Sequence, residues 1–260
     1  MTDGSDVGLR QLRVGRVSIL TMDRPEVRNA LSMAMLGALH RALQEIADDG
    51  DIGAVVLTGA GDRAFCSGMD LREFTAGEPR PDTGVRIEPG DPVLPWDYPK
   101  PMVAAVNGAA VAGGFELVLA CDLVVASVDA KFGLAEVRRG LIAAGGGTML
   151  ATRIPLTAAL EITLLGEPIT AQRAFDLGLV NRVVAPESVL DTAVDLAGRL
   201  AQNGPLAMRL TKRLVRGSVD AGPASGRPTG AQIQEIFSSA DAQEGALAFI
   251  EKREPRWTGR

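Results

Sequence analysis

Histidine is almost absent from this sequence: His40 is the only one in 260 residues. It lies within Ser32–Asp48, where Leu36, Leu39, Leu43 and Ile46 recur at helical spacing and form one apolar face. His40 falls between these positions and reads as a helix surface residue. A Ser-His-Asp triad or a His-based metal site would need partners that the sequence does not supply. Cysteine is nearly as scarce. Cys66 and Cys121 each lie in an apolar segment rather than in a CxxC or a dense framework, which points to a reduced, cytoplasmic compartment. No apolar run approaches the roughly 20 residues of a membrane helix, and MTDGSDVGLR at the N-terminus has no basic stretch followed by an apolar core. Neither membrane insertion nor export is expected. Positive charge is in deficit too: 27 Lys+Arg against 32 Asp+Glu leave a net charge of −5. That offers no broad cationic surface to nucleic acid or anionic lipid, so an anionic ligand must be met by local groups. Chemistry is left to carboxylates and the backbone.

What is present is a sizeable core. With 46% hydrophobic residues in 27.2 kDa, the chain can fold as one large domain, or as a domain with a small appendage. Val17–Met22 and Ala54–Thr58 are short β-branched runs bracketing the helix from Ser32 to Asp48, a βαβ-like unit. A second unit runs from Met102–Val106 through a helix at Gly113–Ala120 to Leu123–Ala126, with a further strand at Lys131–Leu134. The alternation predicts an α/β layered core.

Between the units, Ala76–Pro101 carries seven prolines and several glycines, so regular structure is improbable. A loop of this length reads as a mobile flap or as plain surface disorder. From Gly145 onward strand signals fade and amphipathic helices dominate, around Thr157–Leu165, Thr170–Leu177, Glu187–Gln202, Pro205–Arg216, Gly230–Ala240 and Ala242–Lys252. The small-residue stretch Asp220–Gly230 reads as a loop. Faces such as Ile233, Ile236 and Phe237, then Leu247, Phe249 and Ile250, need something to pack on, and another subunit would serve.

Three segments place glycine around an isolated acid or a turn: FCSGMDL (Phe65–Leu71), AVNGAAVAGGFELVLACDL (Ala105–Leu123) and KFGLAEVRRGLIAAGGGT (Lys131–Thr148). Each has a bland reading. Gly68 can simply shape a turn, Gly113 and Gly114 can permit close helix packing, and Gly145–Gly147 can start a helix. Glu116 can complement a helix dipole, and Glu136 can pair with Arg138 or Arg139.

Together, with Asp23-Arg24-Pro25, Arg28-Asn29-Ala30-Leu31 and Glu251-Lys252-Arg253, their order and spacing resemble the enoyl-CoA hydratase/isomerase (crotonase) superfamily across nearly the whole chain. The resemblance implies an α/β fold: a spiral of repeated ββα units over residues 1–200, then a C-terminal helical oligomerisation region over 201–260. It implies a homotrimer or a dimer of trimers. By motif position the oxyanion-hole donors are the N–H groups of Met69 and Gly113, and the catalytic pair is Glu116 and Glu136, straddling a double bond and sharing one water. Arg28, Ser67, Met69, Asp70, Leu71 and Gly113 line the thioester site, and Phe249 and Lys252 reach the nucleotide end from an adjacent subunit. No cofactor is implied, since coenzyme A enters as part of the acyl-CoA substrate.

The expected activity is therefore reversible hydration of a 2-enoyl-CoA. Carnitinyl-CoA dehydratase-like chemistry, an isomerase working with one glutamate, an inactive binding paralogue and an RNA-binding member are the alternatives. Two intact glutamates argue against loss of catalysis, and the acidic charge balance argues against RNA. Two departures from the family pattern stand out. Met69 replaces a commonly small residue, which narrows the pocket, and Ala135 replaces a common proline.

Overall fold

A computed structural model of the chain describes residues 7–70, 93–220 and 229–260. Strands β1 (Leu9–Val14) and β2 (Val17–Met22) form an antiparallel hairpin. Helix α1 (Met33–Asp48) follows, started by Ser32, whose Oγ accepts the Met35 N–H at 3.1 Å. Its buried face holds Met35, Leu36, Leu39, Leu43 and Ile46. The chain then enters β3 (Ala54–Gly59), parallel to β2 in register from Val17↔Ala54 to Met22↔Gly59.

From here the chain alternates between two sheets. β4 (Ala64–Cys66) leaves the first sheet; β5 (Met102–Val106) returns to it, and β6 (Ala109–Val111) leaves again. Helix α2 (Gly113–Ala120) closes that pass. β7 (Leu123–Ser127) and β8 (Lys131–Gly133) repeat the step, followed by 3-10 turns at Glu136–Arg139 and Gly147–Thr152 and by α3 (Leu156–Leu165). β9 (Ile169–Thr170), α4 (Ala171–Asp176) and β10 (Arg182–Val184) complete the sheets, ordered β1-β2-β3-β5-β7-β10 and β4-β6-β8-β9. This is the expected ββα spiral. Parallel strands covered on both faces read as continuous apolar runs, and every residue of β3 is buried.

Helices α5 (Val189–Ala201), α6 (Pro205–Asp220), α7 (Gly230–Phe237) and α8 (Ala240–Glu251) end the chain. Val189, Ala193, Ala197 and Ala201 of α5 cover the outer face of the large sheet against Val17, Val56, Val103 and Val125. The inner face meets α1 and α2 in the main core. Among the large apolar residues left exposed are Phe237, Phe249 and Ile250, at 77%, 86% and 75%.

Several sequence expectations need correction. β9 and β10 lie in the region where strand signals fade, because both are too short to show a period. His40 is half-buried rather than a plain surface residue, and Val93 O accepts from its Nε2 at 2.9 Å. Of Ala76–Pro101, residues 76–92 lie outside the described residues. The remainder carries neither helix nor strand, as expected, yet Val93, Leu94 and Tyr98 are buried, which removes the surface-disorder reading for that part. The loop at Asp220–Gly230 falls largely on 221–228, also outside the described residues; Asp220 ends α6 and Gly230 opens α7.

Candidate active site

The site grows from the start of α2. Ala112 precedes the helix with φ 51° and ψ −128°, a conformation that costs a non-glycine residue about 1–3 kcal/mol. It is held on both sides. Its N–H donates to Gly133 O at 2.8 Å, and its carbonyl accepts from Phe115 and Glu116 at 2.8 and 3.0 Å. The next N–H, that of Gly113, has no acceptor among the described residues and sits at the positive end of the helix dipole. Gly114 has to be glycine because a Cβ there would stand 2.0 Å from Cys66 O; α2 thus lies directly against β4.

β4 runs into the second donor. Gly68 takes φ +91°, open to glycine, and turns the chain so that the Met69 N–H also lacks an acceptor among the described residues. The two donors adjoin. A Cβ on Gly68 would stand 3.1 Å from Gly113 N, and one on Gly113 would stand 3.7 Å from Met69 N. Leu31 bridges to Met69 in parallel: its N–H donates to Gly68 O at 2.8 Å, and its carbonyl accepts from Asp70 at 2.9 Å. Ser67 N–H donates to Arg28 O at 3.1 Å. Arg28 and Asn29 are both left-handed, and buried Asn29 fixes the bend by accepting from Arg24 N–H and donating to Ala60 and Ala64 carbonyls. Arg24 also pairs with Asp70 at 3.2 Å. The Arg28–Leu31 and Ser67–Asp70 motifs are therefore two strips of one backbone frame.

The glutamates stand on different elements. Glu116, in the first turn of α2, is 5% exposed, and its Oε1 accepts the Gly147 N–H at 2.9 Å. Burial pushes its pKa up to about 6; the Glu136 charge adds to the rise, and the backbone donors Gly147 and Gly145 oppose it. Glu136 opens the 3-10 turn after β8 and is half-buried; its Oε2 is buried with no hydrogen-bond partner among the described residues. Burial raises its pKa as well, against its own N–H and the Arg139 charge. The Arg138 reading fails, since Arg138 bonds to Glu167 at 3.0 Å. A buried carboxyl that feels the charge of a second one in different surroundings suits a division into proton removal and proton delivery.

Of the remaining expected residues, Arg28 is exposed at the rim and Ser67 is half-buried. Met69 is 43% exposed, and Leu71 lies outside the described residues. Phe249 and Lys252 are exposed on α8 and at its cap, and no hydrogen bond or ion pair joins them to the site within the chain, among the described residues. Gly146 and Gly147 do start a 3-10 helix, as the bland reading expects, and Gly147 also holds Glu116, which that reading did not include. A cavity of about 830 Å³ lies against Gly146, lined by Trp96, Met149, Lys212, Val215 and Arg216; it does not include either glutamate. Among the described residues no cluster of three or more His, Cys, Asp or Glu is arranged for a metal.

Comparison with known proteins fits this geometry. Residues 14–260 match the family model described as enoyl-CoA hydratase/isomerase. The carnitinyl-CoA dehydratase of Salmonella arizonae is 37% identical over 96% of this chain and 98% of that protein. The 2,3-dehydroadipyl-CoA hydratase of Escherichia coli is 37% identical over 95% of this chain and 97% of that one. A crystal structure of an enoyl-CoA hydratase from Mycobacterium tuberculosis superposes with a TM-score of 0.87 at 41% identity, covering 97% and 99% of the two chains.

Proposed function

Since the chain belongs to the enoyl-CoA hydratase/isomerase family, we propose that it is an enoyl-CoA hydratase in which Glu116 and Glu136 act on one water beneath an oxyanion hole made by Met69 and Gly113. The observation that carries this reading is the pair itself: a buried carboxyl held by backbone donors beside a second carboxyl with an unpartnered oxygen.

The thioester carbonyl sits on the two open N–H groups. As water adds to C3, negative charge gathers on that oxygen, and a fixed donor in a dry site contributes about 3–4 kcal/mol to the transition state. Backbone donors favour the carboxylate form of Glu116, which takes a proton from the water as its oxygen bonds to C3. Among the described residues no donor meets Glu136 Oε2, so that oxygen is suited to carry a proton, delivered to C2. The net change is H at C2 and OH at C3, and dehydration is the reverse. A pKa near 6 leaves Glu116 ionised at neutral pH, so kcat/KM should fall on an acid limb near pH 6.

Arg28, Ser67, Asp70 and Leu71 would line the thioester mouth, with no cofactor beyond the coenzyme A that the substrate carries. The exposed Phe237, Phe249 and Ile250 favour a homotrimer or a dimer of trimers, in which Phe249 and Lys252 serve a neighbouring site. A cytoplasmic setting accords with two buried free cysteines, and no helix among the described residues is long and apolar enough to cross a membrane. Light scattering that returned a 27.2 kDa monomer would remove the neighbouring-site role.

The test is a panel of enoyl- and 3-hydroxyacyl-CoA thioesters read by mass spectrometry for gain or loss of water. Glu116→Gln and Glu136→Gln should each cut turnover by at least about 10²-fold, and together by far less than the product. Full hydration by Glu116→Gln would overturn the two-glutamate mechanism. Double-bond migration that survives one substitution but not the other would indicate an isomerase.

A further inference from the structure

We infer that His40 is a positioning residue for Glu116, acting through the backbone of Val93 and Gly145; this rests on the hydratase reading above. The connection is continuous. His40 Nε2 lies 2.9 Å from Val93 O, and the Val93 N–H donates to Gly145 O at 3.0 Å. The Gly145 backbone packs directly against the Glu116 carboxylate and its N–H helps to hold the pKa down, next to the 2.9 Å bond from Gly147. Side-chain packing repeats the linkage: a Cβ on Gly145 would stand 2.5 Å from Val93 Cγ2 and 2.6 Å from Glu116 Oε2, so valine, glycine and carboxylate are in close packing.

Each link is needed for the next. Gly145 and its neighbours have no side chains with which to fix their peptide planes, so the aim of their N–H groups depends on what holds their carbonyls. Val93 holds Gly145, and its own carbonyl is tied to α1 by His40. Helix α1 is a firm base, with Leu36, Leu39 and Leu43 buried around the histidine. The only imidazole in the protein thus transmits the position of the core to the donors of a catalytic carboxylate.

Three substitutions test this, assayed well below each variant's melting temperature. His40→Phe keeps the ring and loses the donor. It should lower kcat about tenfold, with KM within about twofold, because the donors of Met69 and Gly113 do not depend on it. It should also move the acid limb of kcat/KM to higher pH, since a carboxylate with a misdirected donor holds its proton longer. His40→Gln places an amide N–H near the Nε2 position and should restore kcat to within about twofold to threefold, with the limb back in place. His40→Asn is one bond too short and should behave like His40→Phe. If His40→Phe does not fold, the Gln and Asn pair decides: equal kcat and equal limbs would overturn the inference, as would a His40→Phe enzyme with wild-type kcat and limb. Wild-type protein that hydrates no enoyl-CoA would instead overturn the hydratase reading.

Discussion

At the C-terminal end of α2, cations meet the carbonyls. Arg153 Nη2 lies 2.6 Å from Leu119 O and 3.4 Å from Cys121 O, and Arg216 Nη2 lies 3.0 Å from Ala120 O. Asp122 gathers this end together, bonding Arg216 and Lys212 at 2.8 Å each and accepting from Met102 N–H at 2.8 Å. At the N-terminal end, eight residues away, the Gly113 N–H is left open among the described residues beside that of Met69, next to a strained Ala112. One short helix thus has a base whose polar groups are satisfied and a tip whose donors wait. Folded proteins pair nearly all buried backbone groups, so the buried Gly113 N–H, without an acceptor among the described residues, is free to meet a ligand. The base should therefore govern stability and the tip turnover.

The largest effect expected is at the base. Asp122→Ala leaves Lys212 and Arg216, whose side chains are 12% and 18% exposed, without a carboxylate partner and with only carbonyls to meet them, and should cost about 3 kcal/mol in denaturant unfolding. The protein that remains folded should keep its kcat. A folded Asp122→Ala enzyme that lost turnover would erase the division between the two ends.

At the tip, Gly145→Ala should do the reverse. Its Cβ would stand 2.6 Å from Glu116 Oε2, and displacing that carboxylate should lower kcat about 10²-fold, or about 2.7 kcal/mol, while a thioester analogue still binds by calorimetry. Loss of analogue binding equal to the loss of turnover would show that the Gly145 support of Glu116 and the oxyanion hole are not separable.

A smaller, opposite effect should appear in the stability of Glu116→Gln. The folded pKa of Glu116 lies above its ordinary 4.5, so between about pH 4.5 and 6 the unfolded chain has released a proton that the folded chain keeps. Native stability contributed by this group therefore falls as pH rises through that window and stays lower above it. Glu116→Gln should be more stable than the parent by about 1–2 kcal/mol at pH 7.5, with the advantage gone below pH 4. Equal melting curves at both pH values would remove the cost ascribed to burying this carboxyl. The smallest effect belongs to the exposed Arg138–Glu167 pair, far from this contrast in character: Glu167→Gln should change stability by less than about 1 kcal/mol and leave activity alone.

Much of this was legible in advance, and the limits have physical causes. The β2-α1-β3 and β5-α2-β7 units could be read because β-branched runs and a helical apolar face carry a period. β1 could not, since all but Leu9 in LRQLRV is exposed and nothing alternates. β4 and β6 are three residues each, too short to show a period of two. In the site, Glu116 and Glu136 stood out as acids amid apolar and glycine residues. Gly145 and Gly147 were visible as glycines, but a backbone donor leaves no mark of its target in the sequence. His40 was misjudged for a related reason: helical spacing locates a residue relative to the core face but says nothing of a carbonyl arriving from 53 positions away.

Leu31 fixes the backbone on both sides of Met69, so in the oxyanion role proposed above the N–H would not depend on the side chain at this position. It is 43% exposed, and many residues could replace it without disturbing the N–H. On the proposed mechanism, selection could therefore reshape the acyl pocket at this position one substitution at a time while the reaction itself is inherited intact. On such a frame, new substrates are evolutionarily close and new chemistries are distant.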